Sequence, residues 1–416
     1  MPLGQQQSRA SGGWRHTFVS LNVRDFRNLW FGVLSMMAGL QMQAVARGYL
    51  TYDITGSPFL LGLVSVGFAV PMLILSLFGG AIADRVNQTR IIQVCQGCGA
   101  VAALAIAISI STDTITWIHL FAASVINGVL FAFMVPSRTA LIPQLVGKEL
   151  VTNALALIAG AMSATTLLAP TVAGSLYALL GPGGVYYVIS ATQLAAVLFT
   201  GRVNRSARVR GTPSKARRAM MGDILEGLKH IRANPLVIVL LVLALSTALL
   251  AMPFRSLLPI FVVDIYHRGP EALGLLVSVM GVGSLFGSLF VAAIGSGRRG
   301  LLLISGGIIS GIGLLVVSFV PNYLVGACVM ALLGLGDSLR RSLNQALILE
   351  LVEEEYRGRV SSVYAMNFGL MPLAVLPAGV IAEYFGGQVA VAALSIPLLV
   401  VCFVILITQK RLRTMM

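Results

Sequence analysis

Long apolar runs, each closed by a short polar or glycine-bearing stretch, recur from one end of the chain to the other. A helix that crosses the ~30 Å hydrocarbon of a bilayer at 1.5 Å per residue needs about 20 such residues. The pattern predicts helices over 29–52, 58–83, 91–111, 117–136, 150–180 and 184–201. After a hydrophilic segment at 202–234 it predicts six more, over 235–263, 271–294, 301–320, 323–339, 360–385 and 388–408. The organisation is a tail (1–28), a six-helix bundle (29–201), a basic linker (202–234), a second six-helix bundle (235–408) and a short tail (409–416).

Composition confirms the class: 57% of residues are hydrophobic, 11% are charged, and mean hydropathy is +0.90. A soluble chain carries roughly twice that charge fraction. The net charge of +14 does not point to nucleic acid, because the basic residues are not gathered in one domain but punctuate the apolar runs. Their placement reads as topology. All but three of the 29 lysines and arginines fall in alternate polar segments, nine of them in the linker. The exceptions are Arg268 in an opposite-side loop and Arg47 and Arg255 within helices. By the positive-inside rule both termini and the linker are cytoplasmic, as in a multi-pass protein of a cell membrane. Within the linker, Ile224, Leu225, Leu228 and Ile231 share one helical face, which predicts a short helix lying on the membrane surface. Residues 1–27 lack the apolar core of a signal peptide.

Two stretches repeat. Asp53-Ile-Thr-Gly-Ser-Pro58 through Gly62-Leu63 is echoed by Asp264-Ile-Tyr-His-Arg-Gly-Pro270 through Gly274-Leu275, with proline and glycine at the same spacing. Parallel repeats of this kind are expected of two bundles facing each other across a central cavity. Between the second and third helices, Phe78-Gly-Gly-Ala-Ile-Ala-Asp84-Arg85-Val-Asn-Gln-Thr-Arg90 turns from apolar to charged within a few residues. That turn resembles the signature loop of the major facilitator superfamily at Gly80, Ala83, Asp84 and Arg85, although Asn87, Gln88 and Thr89 depart from the pattern.

Further stretches resemble the drug and siderophore exporters of that superfamily, which include the enterobactin exporter and macrolide efflux pumps. They are Phe26-Arg-Asn-Leu-Trp30, Pro136-Ser-Arg138 through Pro143, Glu226 through Arg232, and Arg357-Gly-Arg-Val360. In the fifth helix, Ala169-Pro170 through Ala173-Gly174 resembles the antiporter motif, with alanines at two glycine positions. The resemblance implies an all-α membrane fold of twelve helices in two pseudo-symmetric bundles. It also implies export of a lipophilic or amphiphilic small molecule against protons by a single chain in the bilayer. Gly80, Asp84, Arg85, Arg138, Pro170 and Gly174 become the conformational gating residues, with Asp84 latched near 360–364 and Arg138.

No motif supplies other chemistry. Gly147-Lys148 is followed by Glu149 and lacks the rest of a phosphate-binding loop, and Gly295-Ser-Gly-Arg-Arg-Gly300 lies between membrane helices with no strand before it. No pattern calls for a cofactor. Cys95, Cys98, Cys328 and Cys402 fall in apolar runs and read as core residues, not metal ligands. Arg27 and Trp30 read as headgroup anchors.

Few polar residues remain to form a site. Ser35, Gly39, Gln43 and Arg47 make a stripe on the first helix, the fourth offers Ser124 and Asn127, and the seventh offers Ser246, Thr247 and Arg255. In the fold this chain resembles, those helices line the cavity, so Gln43, Arg47, Asn127, Thr247 and Arg255 are the candidate substrate contacts. An arginine near mid-membrane costs ~2.5–3.5 kcal/mol. Arg47 and Arg255 either reach outward to Asp53 and Asp264 or face each other and hold an anionic group. Asp337, three and four residues before Arg340 and Arg341, is either a proton-coupling acid or the centre of an intrahelical ion pair. Two rival functions are a lysophospholipid flippase of the same fold and a membrane receptor that transports nothing. The topology has a direct check. In a variant free of native cysteines, Arg210→Cys reacts with a membrane-impermeant maleimide only after the cytoplasmic side is opened; labelling in intact cells overturns the orientation.

Overall fold

The computed structural model describes residues 17–83, 86–204, 231–232, 234–294, 299–353, 356, 360 and 370–414. Asp84, Arg85, the amphipathic stretch of the linker up to residue 230, residues 295–298 and the start of the eleventh apolar run lie outside the described residues. The described chain is helical throughout, with no strand among those residues.

The first half contains α1 (Arg24–Thr55), α2 (Pro58–Ala83), α3 (Gln88–Ser111), α4 (Trp117–Val146) and a run Val151–Gly201. That run has 51 residues, far more than one crossing needs, and it is broken at Gly181 (φ 72, ψ 177) just before Pro182. It is therefore two helices, α5 (151–180) and α6 (182–201). The second half contains α7 (Pro235–Ile265, in pieces), α8 (Pro270–Ile294), α9 (Arg299–Phe319), α10 (Tyr323–Leu351), α11 (Val375–Phe385 as described) and α12 (Gly387–Thr408). Ten of the described stretches are long and apolar enough to span a bilayer, the 51-residue run being one of them.

Helix starts follow from side chains. Asn87, Asn234 and Asn322 each accept backbone N–H groups at the first turn of α3, α7 and α10. His119 receives the Thr116 N–H at the start of α4, a structural duty for a histidine at a span end. The expected boundaries hold closely except at two places. α4 continues to Val146 and α10 to Leu351, well past the expected ends at 136 and 339. Arg138 and Arg340, expected in polar loops, are therefore helical and buried. The helices persist because neighbours cover the polar turns, as when Asn344 donates to Leu240 O of α7 at 2.9 Å. Trp30 also differs from expectation: its indole N–H donates to Leu157 O of α5, so it joins two helices instead of anchoring to headgroups.

The halves meet at one end, where residues 55–58 and 265–270 lie. The joint is built twice. At α5–α8, a methyl group added to Gly174 would lie 2.5 Å from Pro270 O, and one added to Gly274 would strike Pro170 O. At α2–α11, a methyl on Gly379 would lie 2.7 Å from Pro58 O, and one on Gly62 would lie 3.1 Å from Val375 O. Proline and glycine of the repeated motif thus occupy equivalent places in two equivalent seams. Only hydrogen at Cα lets the backbones approach so closely. Polar contacts add to each seam: Thr171 N–H donates to Ser278 Oγ (3.1 Å), and Glu383 accepts from Ser57 Oγ (2.7 Å) and Phe59 N (3.0 Å). A third crossing joins α1 to α7 through the Tyr52 hydroxyl and Asp264.

The apolar cores divide accordingly. One cluster is continuous across both halves at the joined end, including Leu61, Tyr177, Leu276 and Ala378. A second, with Phe26, Leu29, Met134, Leu141 and Ile158, belongs to the first half alone at the opposite end. Among the described residues, then, the halves share a core at one end only. Enlarging a seam glycine should separate the halves without unfolding them. Gly274→Leu lowers the yield of an oxidative cross-link between Thr171→Cys and Ser278→Cys while folded protein is retained, overpacking costing ~1–3 kcal/mol. An unchanged cross-link contradicts the seam.

Candidate functional site

The polar stripe of α1 turns its glycines toward α6. Gly39 faces α6, where an added methyl would lie 2.5 Å from Thr192 Oγ1, and Gly32 faces Thr200 on the same helix. Gln43, one turn on, is 3% exposed. Arg47 is half-buried, and its electrostatic neighbour is the fully buried Tyr186 of α6. Gly32 and Gly39 thus belong to the α1–α6 seam. Polar residues on a membrane helix are as well served by polar groups of their own bundle as by a solvent-filled cavity, and sequence spacing does not distinguish the two.

Asn127 and Thr247 are likewise absorbed by their own helices. The Asn127 amide donates to Ala123 O at 2.7 Å, and the Thr247 hydroxyl to Leu243 O and Ala244 O at 2.9 and 3.0 Å. Both are buried. Ser124 ties α4 to α2 through Val64 O at 2.7 Å.

Arg255 is different. α7 is not one helix: it runs Pro235–Leu250, turns at Ala251 and Met252, resumes as Pro253–Ile260 and ends in a π-helical turn, Phe261–Ile265. Pro253 has no N–H to continue the ladder, so the helix restarts at it. Discontinuous membrane helices and π turns concentrate where backbone and side chains line a site. Arg255 sits in the first turn after the break and opens into a small crevice with Met252, Phe254, Met280, Met330 and Leu333. It makes no hydrogen bond or ion pair with the described residues, and Asp264, the partner expected for an outward-reaching arginine, is engaged by Tyr52. The break was visible as Met252-Pro253, with Pro259 following, inside an apolar run, and is the feature that reading by hydropathy alone misses.

Asp337 lies beside this crevice on α10. Its carboxylate receives one guanidinium from Arg340 and another from Arg341, on the next turn of the same helix. The carboxylate is 3% exposed, Arg340 is as deeply buried, and Arg341 is 51% exposed. Arg255 lies within electrostatic reach of Asp337 and Arg341, and Arg47 within reach of Tyr186. The two intramembrane arginines are thus placed in separate halves, each with neighbours of its own.

Of the gating residues, Pro170 and Gly174 form the α5–α8 seam described above, and Gly80 lies in the last turns of α2. Arg138 is 8% exposed, and one of its terminal nitrogens meets no hydrogen-bond acceptor among the described residues. Asp84 and Arg85 lie outside the described residues. Cys95 and Cys402 are buried, whereas Cys98 and Cys328 are exposed on outward helix faces, not in the core. Among the described residues no group of three potential ligands could hold a metal.

Comparison with proteins of known sequence and structure agrees with this architecture. A nucleoside transporter, NupG, superimposes with a TM-score of 0.75 at 13% identity, over 93% of this chain and 100% of that one. A bacterial homologue of the human lysosomal transporter Spinster, in an inward-facing and occupied conformation, gives 0.71 at 13% identity over 97% and 99%. In sequence, the staphyloferrin A transporter of Staphylococcus aureus is 24% identical over 78% of this chain and 81% of its own. The multidrug efflux pump Tap of Mycolicibacterium fortuitum is 23% identical over 89% and 92%. The enterobactin exporter EntS of Citrobacter koseri is 21% identical over 80% and 77%. The family model of the Major Facilitator Superfamily matches residues 29–376, and the chain belongs to that superfamily.

Proposed function

We propose that this protein is a secondary exporter of lipophilic or amphiphilic small molecules, working by alternating access with protons as the opposing flux. The observation that carries the reading is the one-ended joint. Among the described residues one apolar core runs through the second half and into the first at one end, and the first half's cluster at the other end includes no residue of the second, an arrangement that would let each half rock about the glycine seams. The placement of basic residues supports a cytoplasmic position for the other end and for both termini. The names of the sequence relatives, a siderophore transporter, a multidrug pump and an enterobactin exporter, support a small-molecule cargo moved outward.

Asp84 latches the cytoplasmic end when it closes, by meeting Arg138 and the positive end of the helix expected to begin near 360–364. Asp84→Asn therefore abolishes net substrate uptake into inverted vesicles while expression is unchanged; normal uptake with this variant removes the latch from the account.

Asp337 is a structural counter-ion in this reading, since two guanidinium groups hold it ionised. Removing its charge strands buried Arg340, a loss of about 3–5 kcal/mol for an uncompensated buried ion. Asp337→Asn should lower the unfolding temperature in detergent and leave the pH-gradient dependence of residual efflux intact. Unchanged stability together with lost proton dependence would instead make Asp337 the coupling acid.

A further inference from the structure

We infer that the start of α1 and the end of α6 form a binding site for one anionic phospholipid, whose headgroup phosphate sits between Arg24 and Arg202. The site lies at the end of the first half remote from the glycine seams, where α1 begins and α6 stops. It goes beyond the exporter reading and does not depend on it.

Two stripes of the same chemistry meet there. On α1, Arg24, Arg27, Asn28 and Phe31 recur at three- and four-residue spacing and so share one face. On α6, Leu198, Phe199 and Arg202 do the same. Contacts hold the stripes together. The Asn28 amide donates to Arg202 O at 3.4 Å, and the Phe31 and Phe199 rings stack with centroids 5.4 Å apart. Phe31 and Leu198 are exposed, so the apolar part of the double stripe faces lipid tails. Phe31 is seven residues inside Arg24, about 10 Å along a helix. Arginines standing over apolar residues in that order carry their guanidiniums at headgroup level.

Outside the rings lies an open cavity of about 630 Å³, bordered by Arg24, Asp25, Arg202 and Asn204 among others. Its donors select a phosphate. The Arg202 guanidinium lies over the Phe199 ring, 5.8 Å from the centroid, which holds it at the rim. Neither Arg24 nor Arg202 forms an ion pair among the described residues. Val23 gives the first-turn N–H groups of α1 no side-chain acceptor, so they remain as donors beside the guanidiniums. The single acid at the cavity, Asp25, accepts the Asn204 N–H at 3.3 Å and ties the two helix ends together. The flanking chain supplies no further anion: residues 1–23 and 205–218 contain no acid, and the second stretch has six bases. An anionic phospholipid meets both demands, with charge for the arginines and acyl chains for the exposed stripe beneath them. Basic pockets between membrane helix ends hold such headgroups for this reason. A zwitterionic headgroup brings a cation of its own into a positive site and binds less well.

The test uses the full-length protein in nanodiscs, with Trp14→Phe and Trp117→Phe leaving Trp30 as its one tryptophan. Trp30 meets the edge of Phe31 at 5.1 Å and so reports on the site. Its quenching by phosphatidylglycerol brominated on the acyl chains, in a phosphatidylcholine background, is compared with the converse mixture. With Arg24 and Arg202 in place, phosphatidylglycerol should be preferred about tenfold, as expected of two arginines at a headgroup. Arg24→Gln/Arg202→Gln should bring the two lipids to parity. Unchanged quenching of that variant by brominated phosphatidylcholine alone shows that its fold is kept. Arg413→Gln removes a charge at the corresponding end of the second half and should leave the preference as it is. No preference in the parent protein, or a preference that survives the double variant, overturns the site. Equal loss in Arg413→Gln assigns the preference to diffuse surface charge and overturns it as well. Millimolar glycerol phosphate should not relieve the quenching; relief would make the cavity a site for soluble phosphates and overturn the lipid assignment.

Discussion

Everything in this molecule depends on the close approach of helix backbones at two equivalent seams. In hydrocarbon there is no gain from hiding apolar surface from lipid, so two membrane bundles adhere through packing and hydrogen bonds. Gly174 and Gly274 at one seam, Gly62 and Gly379 at the other, bring carbonyls of Pro270, Pro170, Val375 and Pro58 against bare Cα atoms. Proline contributes a second way. Pro170 deprives α5 of an N–H, and the neighbouring Thr171 N–H is taken up by Ser278 from the opposite half. A seam made of backbone contacts and a few hydrogen bonds is tight without being deep. It can separate at modest cost, unlike the interdigitated cores within each half.

Charge placement inside the span follows the same economy. Asp337 is paired on its own helix with Arg340 and Arg341, whereas Arg255 is left at the edge of a crevice. The break in α7 is what separates the two cases. A continuous helix would have carried Arg255 in an ordinary turn; the restart at Pro253 sets it beside three methionines, each from a different helix.

Much of the fold was legible because the governing signal, apolar length, is the same physics that selects a spanning helix. The run at 58–83 and the split of 151–201 into two helices follow from it almost to the residue. The Pro58–Gly62 and Pro270–Gly274 echo was readable as a repeat, and its purpose, the two seams, became apparent only in three dimensions. Where burial by a neighbouring helix substitutes for apolar sequence, hydropathy fails: α4 runs on through Arg138 and α10 through Arg340 and Arg341. The site was less legible. A four-residue polar spacing on α1 is equally consistent with a cavity face and with an intrabundle seam, and in the structure Gly39 lies against Thr192 of α6. Asn127 and Thr247 look like free polar groups in a sequence, yet each bonds a carbonyl one turn back.

The central claim is that the end joined by the glycine seams opens and closes as cargo moves. Spin labels at Ile54→Cys on α1 and Tyr384→Cys on α11, both exposed positions flanking the seams, report that motion directly by pulsed dipolar spectroscopy in proteoliposomes. The account predicts a single short separation in the resting protein and a second, longer population when a transported amphiphile and a pH gradient are supplied. One unchanged separation in vesicles that are actively transporting would contradict it.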